Sequence, residues 1–246
     1  MRRQQSALST KMSIVLLKDT QKALTIIGIS TRHLLQTLEK LLPMKNFQII
    51  RELLKFDDPD KFYFIQILKR RKDNPTMGKD MCNIDNFCVY SMEDYERYEK
   101  RIIDVCERNN ARAYIRLNRR SDKKIALQML ARMAQMIASE QYNIRKLYYS
   151  IAGEFHSERD KTWIIDIDMK PFDDFDRIEK LINGLQPIGE KLIGTIPTVN
   201  GFHMITRPFN LAEFRKYMEL QGDVPDIHKD NPTLLYYSET KENPLI

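Results

Sequence analysis

The sequence predicts an α+β protein of 246 residues, and three observations predict it. Apolar runs of strand length alternate with longer stretches of helical period. Glycine (8) and proline (10) are too sparse for a linker-like or low-complexity chain. A hydrophobic content of 42% suffices for a buried core and excludes disorder as the main state. Three cysteines, Cys82, Cys88 and Cys106, match no CxxC spacing, which points to a reduced, intracellular setting rather than a disulfide framework. The charge-free apolar stretch at 23–31 falls far short of the roughly 20 residues a membrane helix needs, so no membrane partner is expected.

Residues 1–43 hold seven Lys/Arg against two Asp/Glu. Ile14, Leu17, Leu24, Ile27, Leu34, Leu35, Leu38 and Leu42 partly follow helical spacing, so a basic helical appendage is expected there. From Met44 a helix runs to about Lys55. Residues 62–68 form an apolar, aromatic-rich strand that ends in Lys69-Arg70-Arg71-Lys72 and is broken by Asp73-Asn74-Pro75. A short strand at 87–90 leads to Ser91, an N-cap residue, with Glu93 and Asp94 in the first turn of a helix reaching Asn109. Residues 111–117 alternate small or apolar side chains with Arg112, Tyr114 and Arg116, the pattern of a half-buried strand. Residues 122–151 read as one long helix whose methionines fill core. These elements make up an αβ module at 44–153.

In the remaining residues, 154–246, strands are expected at 162–168, 191–196, 201–207 and 233–237, with helices at 172–183 and 211–220. The order β-α-β-β-α-β is that of a split-βαβ or ferredoxin-like unit. Its sheet order, 4-1-3-2, sets the end of the first strand beside the starts of the third and fourth. Asp166 and Asp168 share a face at that end, because alternate strand residues point the same way. His203 enters the third strand on the face of Ile205 and Arg207, and Asp226, His228 and Asp230 precede the fourth. Helices cover one face of such a sheet, so Trp163, Ile165 and Ile167 pack beneath them while the aspartates face away. Carboxylates gathered in this way repel one another unless a cation lies between them, and an oxygen-rich site suits Mg²⁺ or Mn²⁺. Paired ions bridged by aspartates serve phosphoryl transfer. His203, Arg207 and Lys191 are then candidates for holding a triphosphate.

The strand ending in Asp166-Ile167-Asp168, the stretch Thr198-Val199-Asn200-Gly201-Phe202-His203 entering a strand, and an aspartate before the last strand resemble the three motifs of the archaeo-eukaryotic primase superfamily. That family includes primase-polymerases and the polymerase domain of bacterial end-joining ligases. The resemblance covers mainly residues 160–238, with 44–153 fitting as the companion module. It implies an RRM-like catalytic unit that makes RNA or DNA on a template from nucleoside triphosphates, with two metal ions. Asp166 and Asp168 match the metal-binding carboxylates of the first motif. Asp226 is the choice for the third catalytic carboxylate, with Asp230 competing as a metal ligand. His203, with Asn200 in the same motif, matches the nucleotide contact. Gly201 stands where the family often has serine, and neither a zinc-binding cysteine cluster nor a fused helicase or helical priming domain is present in the sequence. The resemblance is therefore to phage or mobile-element types, working in the cytoplasm of a bacterium or phage-infected host with a replicative helicase in trans.

Charge divides along the chain. Residues 44–153 hold 22 Lys/Arg against 15 Asp/Glu and residues 154–246 hold 11 against 17, within a formal net charge of +6. Lys69, Arg70, Arg112, Arg116, Arg119 and Arg120 are the expected contacts to a single-stranded DNA template, with Asn118, Arg119 and Arg120 leaving a strand where it would cross. Tyr114 lies among them as a base-stacking candidate. Two other function classes use the same residues differently. In a metal-dependent nuclease the aspartates would activate water; in a non-catalytic RRM-like nucleic-acid-binding protein aromatic residues would occupy the sheet face that here carries Asp166, Asp168 and His203.

Overall fold

The computed structural model describes residues 44–156, 159, 161–168, 173–222, 224–230 and 232–237, and the appendage expected at 1–43 lies outside them. In chain order the elements are β1 (Met44–Lys45), α1 (Phe47–Arg51), β2 (Lys61–Arg70), β3 (Met81–Val89), α2 (Met92–Asn109), β4 (Arg112–Ser121), α3 (Asp122–Ala138), α4 (Leu147–Glu154) and β5 (Trp163–Asp168). There follow α5 (Asp173–Gly184), β6 (Leu192–Pro197), β7 (Gly201–Thr206), α6 (Leu211–Leu220), β8 (Asp226–His228) and β9 (Thr233–Tyr237). The protein is mixed α+β, with a five-stranded sheet in the order β1-β9-β4-β2-β3 and a four-stranded sheet in the order β6-β7-β5-β8. Every strand pairing is antiparallel.

Local chemistry sets several boundaries. Ser91 caps α2 by accepting a hydrogen bond from the Asp94 amide at 3.1 Å, and Asn110 ends the helix in the left-handed conformation at φ 47°. Ser121 does the same for α3 through the Lys124 amide. The single long helix expected over 122–151 is two: α3 ends at Ala138, Glu140 takes a φ of 55°, and α4 starts at Leu147. The break turns Leu147, Ile151 and Ala152 back onto Phe62, Phe64 and Ile125. The helix expected from Met44 to Lys55 shortens to α1, preceded by the two-residue β1, because Asn46 is buried and its side-chain amide donates to the Pro197 and Leu234 carbonyls.

The strand at 233–237 is present but does not sit where the sequence placed it. It lies between β1 and β4 in the five-stranded sheet, and the edge position beside β5 belongs to β8. The physical reason is burial. All five residues of β9 are buried, so the strand needs cover on both faces and cannot be the edge of a sheet whose rim is open. Asp226-Ile227-His228 alternates polar and apolar and suits an edge. Residues 44–238 make one compact unit, in which the last strand returns across residue 153 to the first sheet.

Helices α5 and α6 bury one face of the four-stranded sheet, where Trp163, Ile165, Ile167 and Met204 meet Ile178, Ile182, Phe214 and Met218. The opposite face presents Ile164, Ile196 and Ile205 to the core of the five-stranded sheet, among Ile65, Ile67, Ile115 and Leu235. Each such side chain contributes on the order of 1.5–3 kcal/mol on burial. Two residues further along the same face, the layer turns polar at Asp166 and His203.

Candidate active site

The antiparallel ladders set three candidate side chains in one row. Asp166 on β5 is the direct partner of His203 on β7 and of Asp226 on β8. Paired residues of such ladders stand about 4.5–5.5 Å apart at Cα, so the row is narrow. His203 Nε2 lies 3.4 Å from Asp166 Oδ1, with the imidazole side chain 12% and the carboxylate 38% exposed. On its other side, His203 Nδ1 is 2.9 Å from the hydroxyl of Thr233, a fully buried residue at the start of β9. Interaction with His203 is the first cause holding the Asp166 carboxyl below the usual carboxylate range, joined by the positive fields of His203, His228 and Lys72 and opposed by burial. The Asp166 carboxylate is therefore charged at neutral pH.

Asp168 pairs with Gly201, and the β6–β7 hairpin turns over Val199 and Asn200, closed by a hydrogen bond from the Thr198 amide to the Gly201 carbonyl at 2.8 Å. Thr198, Val199 and Asn200 join Asp166, Asp168 and His203 along one wall of a cleft of about 100 Å³. The other wall comes from the five-stranded sheet and the turn after β2: Arg70, Lys72, Arg112, Tyr114 and Leu234. Arg112 makes a buried bidentate ion pair with Asp73 at 2.8 and 2.7 Å and stacks over the Tyr237 ring at 4.0 Å. Arg70 donates to the Tyr114 hydroxyl at 3.0 Å. Lys72 is exposed, yet partial desolvation of its ammonium and then the charges of Arg112 and Arg70 depress its pKa, opposed by Asp73 and Asp166.

Other expected site residues lie elsewhere. Asp226 is exposed beside Asp166 but does not line the cleft. Asp230 is turned to Arg120, which donates to it at 3.1 and 2.8 Å, and to the Asn118 amide at 3.2 Å. The Asp230 oxygens expected to hold a metal thus face Arg120 and Asn118, and Asp230 does not line the cleft. Arg207 stands four residues beyond His203, about 13 Å along the strand, and donates to the Glu190 carbonyl. Lys191 is 2% exposed, its ammonium donating to the Leu185 and Gly189 carbonyls. Neither reaches the cleft, because both sit at the opposite end of β7.

The basic cluster after residue 112 is corrected in the same way. Arg120 is fully buried and also donates to the Ala152 and Asn118 carbonyls. Arg119 is buried against Asp57 and the Lys55 carbonyl. Arg116 donates to the Asp230 carbonyl, and burial with the Arg120 charge pushes its pKa down to about 10. Asn118 ties β4 to the Thr162 and Lys229 carbonyls. Lys69, paired with Cys82, is half-buried outside the cleft, so of the expected template contacts Arg70, Arg112 and the stacking candidate Tyr114 line it. The sequence reading missed Thr233 and took Lys72 only as one of a basic cluster suited to phosphates, since both join the site only through the approach of the two sheets.

Among the described residues no three His, Cys, Asp or Glu side chains form a closed metal cage. Mg²⁺ does not require one, being held usually by one or two carboxylates with substrate phosphates and waters. Asp166 and Asp168, two oxygen donors on one wall facing open space, fit that mode. Also among the described residues, no helix is long and apolar enough to cross a membrane. Comparison with known protein families, with curated proteins and with solved structures finds no match for this chain.

Proposed function

We propose that this chain is a primase-polymerase-like nucleotidyltransferase that extends a nucleic-acid strand on a single-stranded template. The observation that carries the reading is the cleft in which Asp166, Asp168 and His203 face Arg70, Lys72 and Arg112. Carboxylates on one wall and cations on the other suit a ligand that is itself a metal-bound polyphosphate. Support from topology is independent of the cleft. The β5-α5-β6-β7-α6-β8 order and the β6-β7-β5-β8 sheet are those expected of an RRM-like catalytic unit.

In this mechanism Asp166 and Asp168 would hold Mg²⁺ or Mn²⁺, which would supply charge neutralisation at the transferred phosphate. Asp166 is ready for that task because its carboxyl is ionised at neutral pH. His203 is fixed by Thr233 on one ring nitrogen and presents the other toward Asp166 and the cleft, where the nucleotide phosphates are expected. Asn200 and Thr198 on the hairpin tip offer neutral hydrogen bonds beside it. Arg70 and Arg112 are preorganised by Tyr114 and Asp73, so binding costs them little rotamer freedom.

The test is strand extension with primed and unprimed single-stranded DNA, labelled NTPs or dNTPs, and Mg²⁺ or Mn²⁺. Extension by the wild type that falls to background in Asp166→Ala/Asp168→Ala is expected. Shortening of the DNA, lost in the same variant, would assign a nuclease instead. DNA binding unchanged by the double substitution, with no turnover in the wild type, would sink both enzymatic readings.

A further inference from the structure

We infer that Lys72, between Arg70 and Arg112, is the seat for the terminal phosphates of a polyphosphate chain whose first phosphate lies against Asp166 and Asp168. Three cations converge on this wall of the cleft. Two already have partners: Arg112 is closed on both oxygens of Asp73, and Arg70 is engaged with Tyr114. Among the described residues Lys72 makes no hydrogen bond and no ion pair within 4.0 Å. A lysine among two arginines is repelled by both and is favoured when an anion joins them. Asp73, the nearest acid in sequence, is turned inward to Arg112 at 6% exposure and leaves that anion to come from outside.

Position and size narrow the ligand. Lys72 and Arg70 also line a second, open hollow of about 560 Å³ with Arg71, Pro75 and Asp80, so Lys72 stands where the acid-lined cleft opens outward. At about 100 Å³ the cleft is smaller than the 300–1,000 Å³ of sites that take whole organic ligands, and it suits phosphate groups. A single phosphate at the carboxylates would leave Lys72 unmatched, whereas a chain of two or three phosphates spans both walls. Arg207 and Lys191, the cations that sequence position favoured for this task, are held at the far end of β7. The inference rests on the nucleotidyltransferase reading for what the polyphosphate is attached to, and on the cleft for where it lies.

The probe is inorganic tripolyphosphate with Mg²⁺ in excess, titrated calorimetrically into the full chain, so that the phosphate beside Asp166 and Asp168 is neutralised. Wild type is expected to bind, Lys72→Met to bind about 10-fold more weakly, and Lys72→Arg to stay within about threefold of wild type. Arg71→Ala, which removes an exposed cation paired with Asp80, is expected to change Kd by less than about twofold. Lys72→Met binding as tightly as wild type would overturn the seat, and so would an equal loss in Arg71→Ala, which would mark diffuse charge attraction. The two readings separate cleanly. Lys72-dependent tripolyphosphate binding in a chain that never extends DNA keeps the seat and removes the polymerase. Extension with a nucleotide KM unmoved by Lys72→Met keeps the polymerase and removes the seat.

Discussion

A β-carbon built on Gly201 would stand 1.9 Å from the Ile167 carbonyl oxygen, well inside any tolerable contact. The neighbour is backbone, so it cannot swing aside as a flexible side chain would. Gly201→Ala must push the start of β7 away from the end of β5, the two places that carry His203 and Asp168. We expect a cost of about 1–3 kcal/mol or more in urea denaturation. Gly78→Ala, whose added carbon meets nothing within 4 Å, is expected to stay within about 0.5 kcal/mol. Equal effects at the two sites would show that the approach of β7 to β5 is not the constraint. The same contact accounts for a glycine at this position. Composition could not reveal it, because the collision is between a side chain that is absent and a carbonyl on a partner strand. Asp166, Asp168 and His203 were legible for the opposite reason: strand alternation fixes which face they take, whatever the rest of the molecule does. Thr233 was not, since its value to His203 depends on a strand arriving from the other sheet.

At the scale of elements, burial rather than order along the chain decided addresses. β9 went to the five-stranded sheet because every one of its residues needs cover, and β8 was missed because three residues give too little periodicity to read. The arginines of β4 were misread through the same gap. A run of Arg and Asn after a strand looks like a solvated patch, yet Arg119 and Arg120 are 7% and 0% exposed and act as fasteners. Arg120 closes on Asp230 in the segment joining β8 to β9, and so pins the crossover between the two sheets. Asp230→Ala removes one partner of that pair and leaves a buried guanidinium short of its charge. The expected loss is about 3 kcal/mol by chemical denaturation, with no dependence on added Mg²⁺. Had Asp230 been a cation ligand, its removal would relieve carboxylate repulsion, leave stability intact or raise it, and abolish a Mg²⁺-induced increase in melting temperature.

For the whole molecule the divided charge takes on a different meaning. Some of the basic residues at 44–153 are internal: Arg112 and Arg119 are matched to Asp73 and Asp57 of the same part, and Arg120, which belongs to the excess, is matched to Asp230 of the acidic part of the chain. The two parts are thus joined by the Arg120–Asp230 ion pair, by Asn118 bridging to Thr162 and Lys229, by Ile164, Ile196 and Ile205 sharing the core of the five-stranded sheet, and by β9 itself. A boundary at 153 would cut all four. Unfolding is therefore expected to be a single cooperative step across residues 44–238. Trp163, the one tryptophan of the chain, makes this measurable: it lies at 9% exposure in the core under α5 and α6, so its fluorescence reports the four-stranded sheet. Far-UV circular dichroism reports helices and strands of both sheets. In urea the two signals should share one midpoint and one slope. A fragment of residues 44–153 should lack a cooperative transition, since without β9 the β4 edge and Tyr236-facing core lose their cover. Separated midpoints, or a fragment that melts on its own, would mean that the sheets are independent domains and that the cleft between Asp166 and Lys72 is a hinge rather than a preformed site.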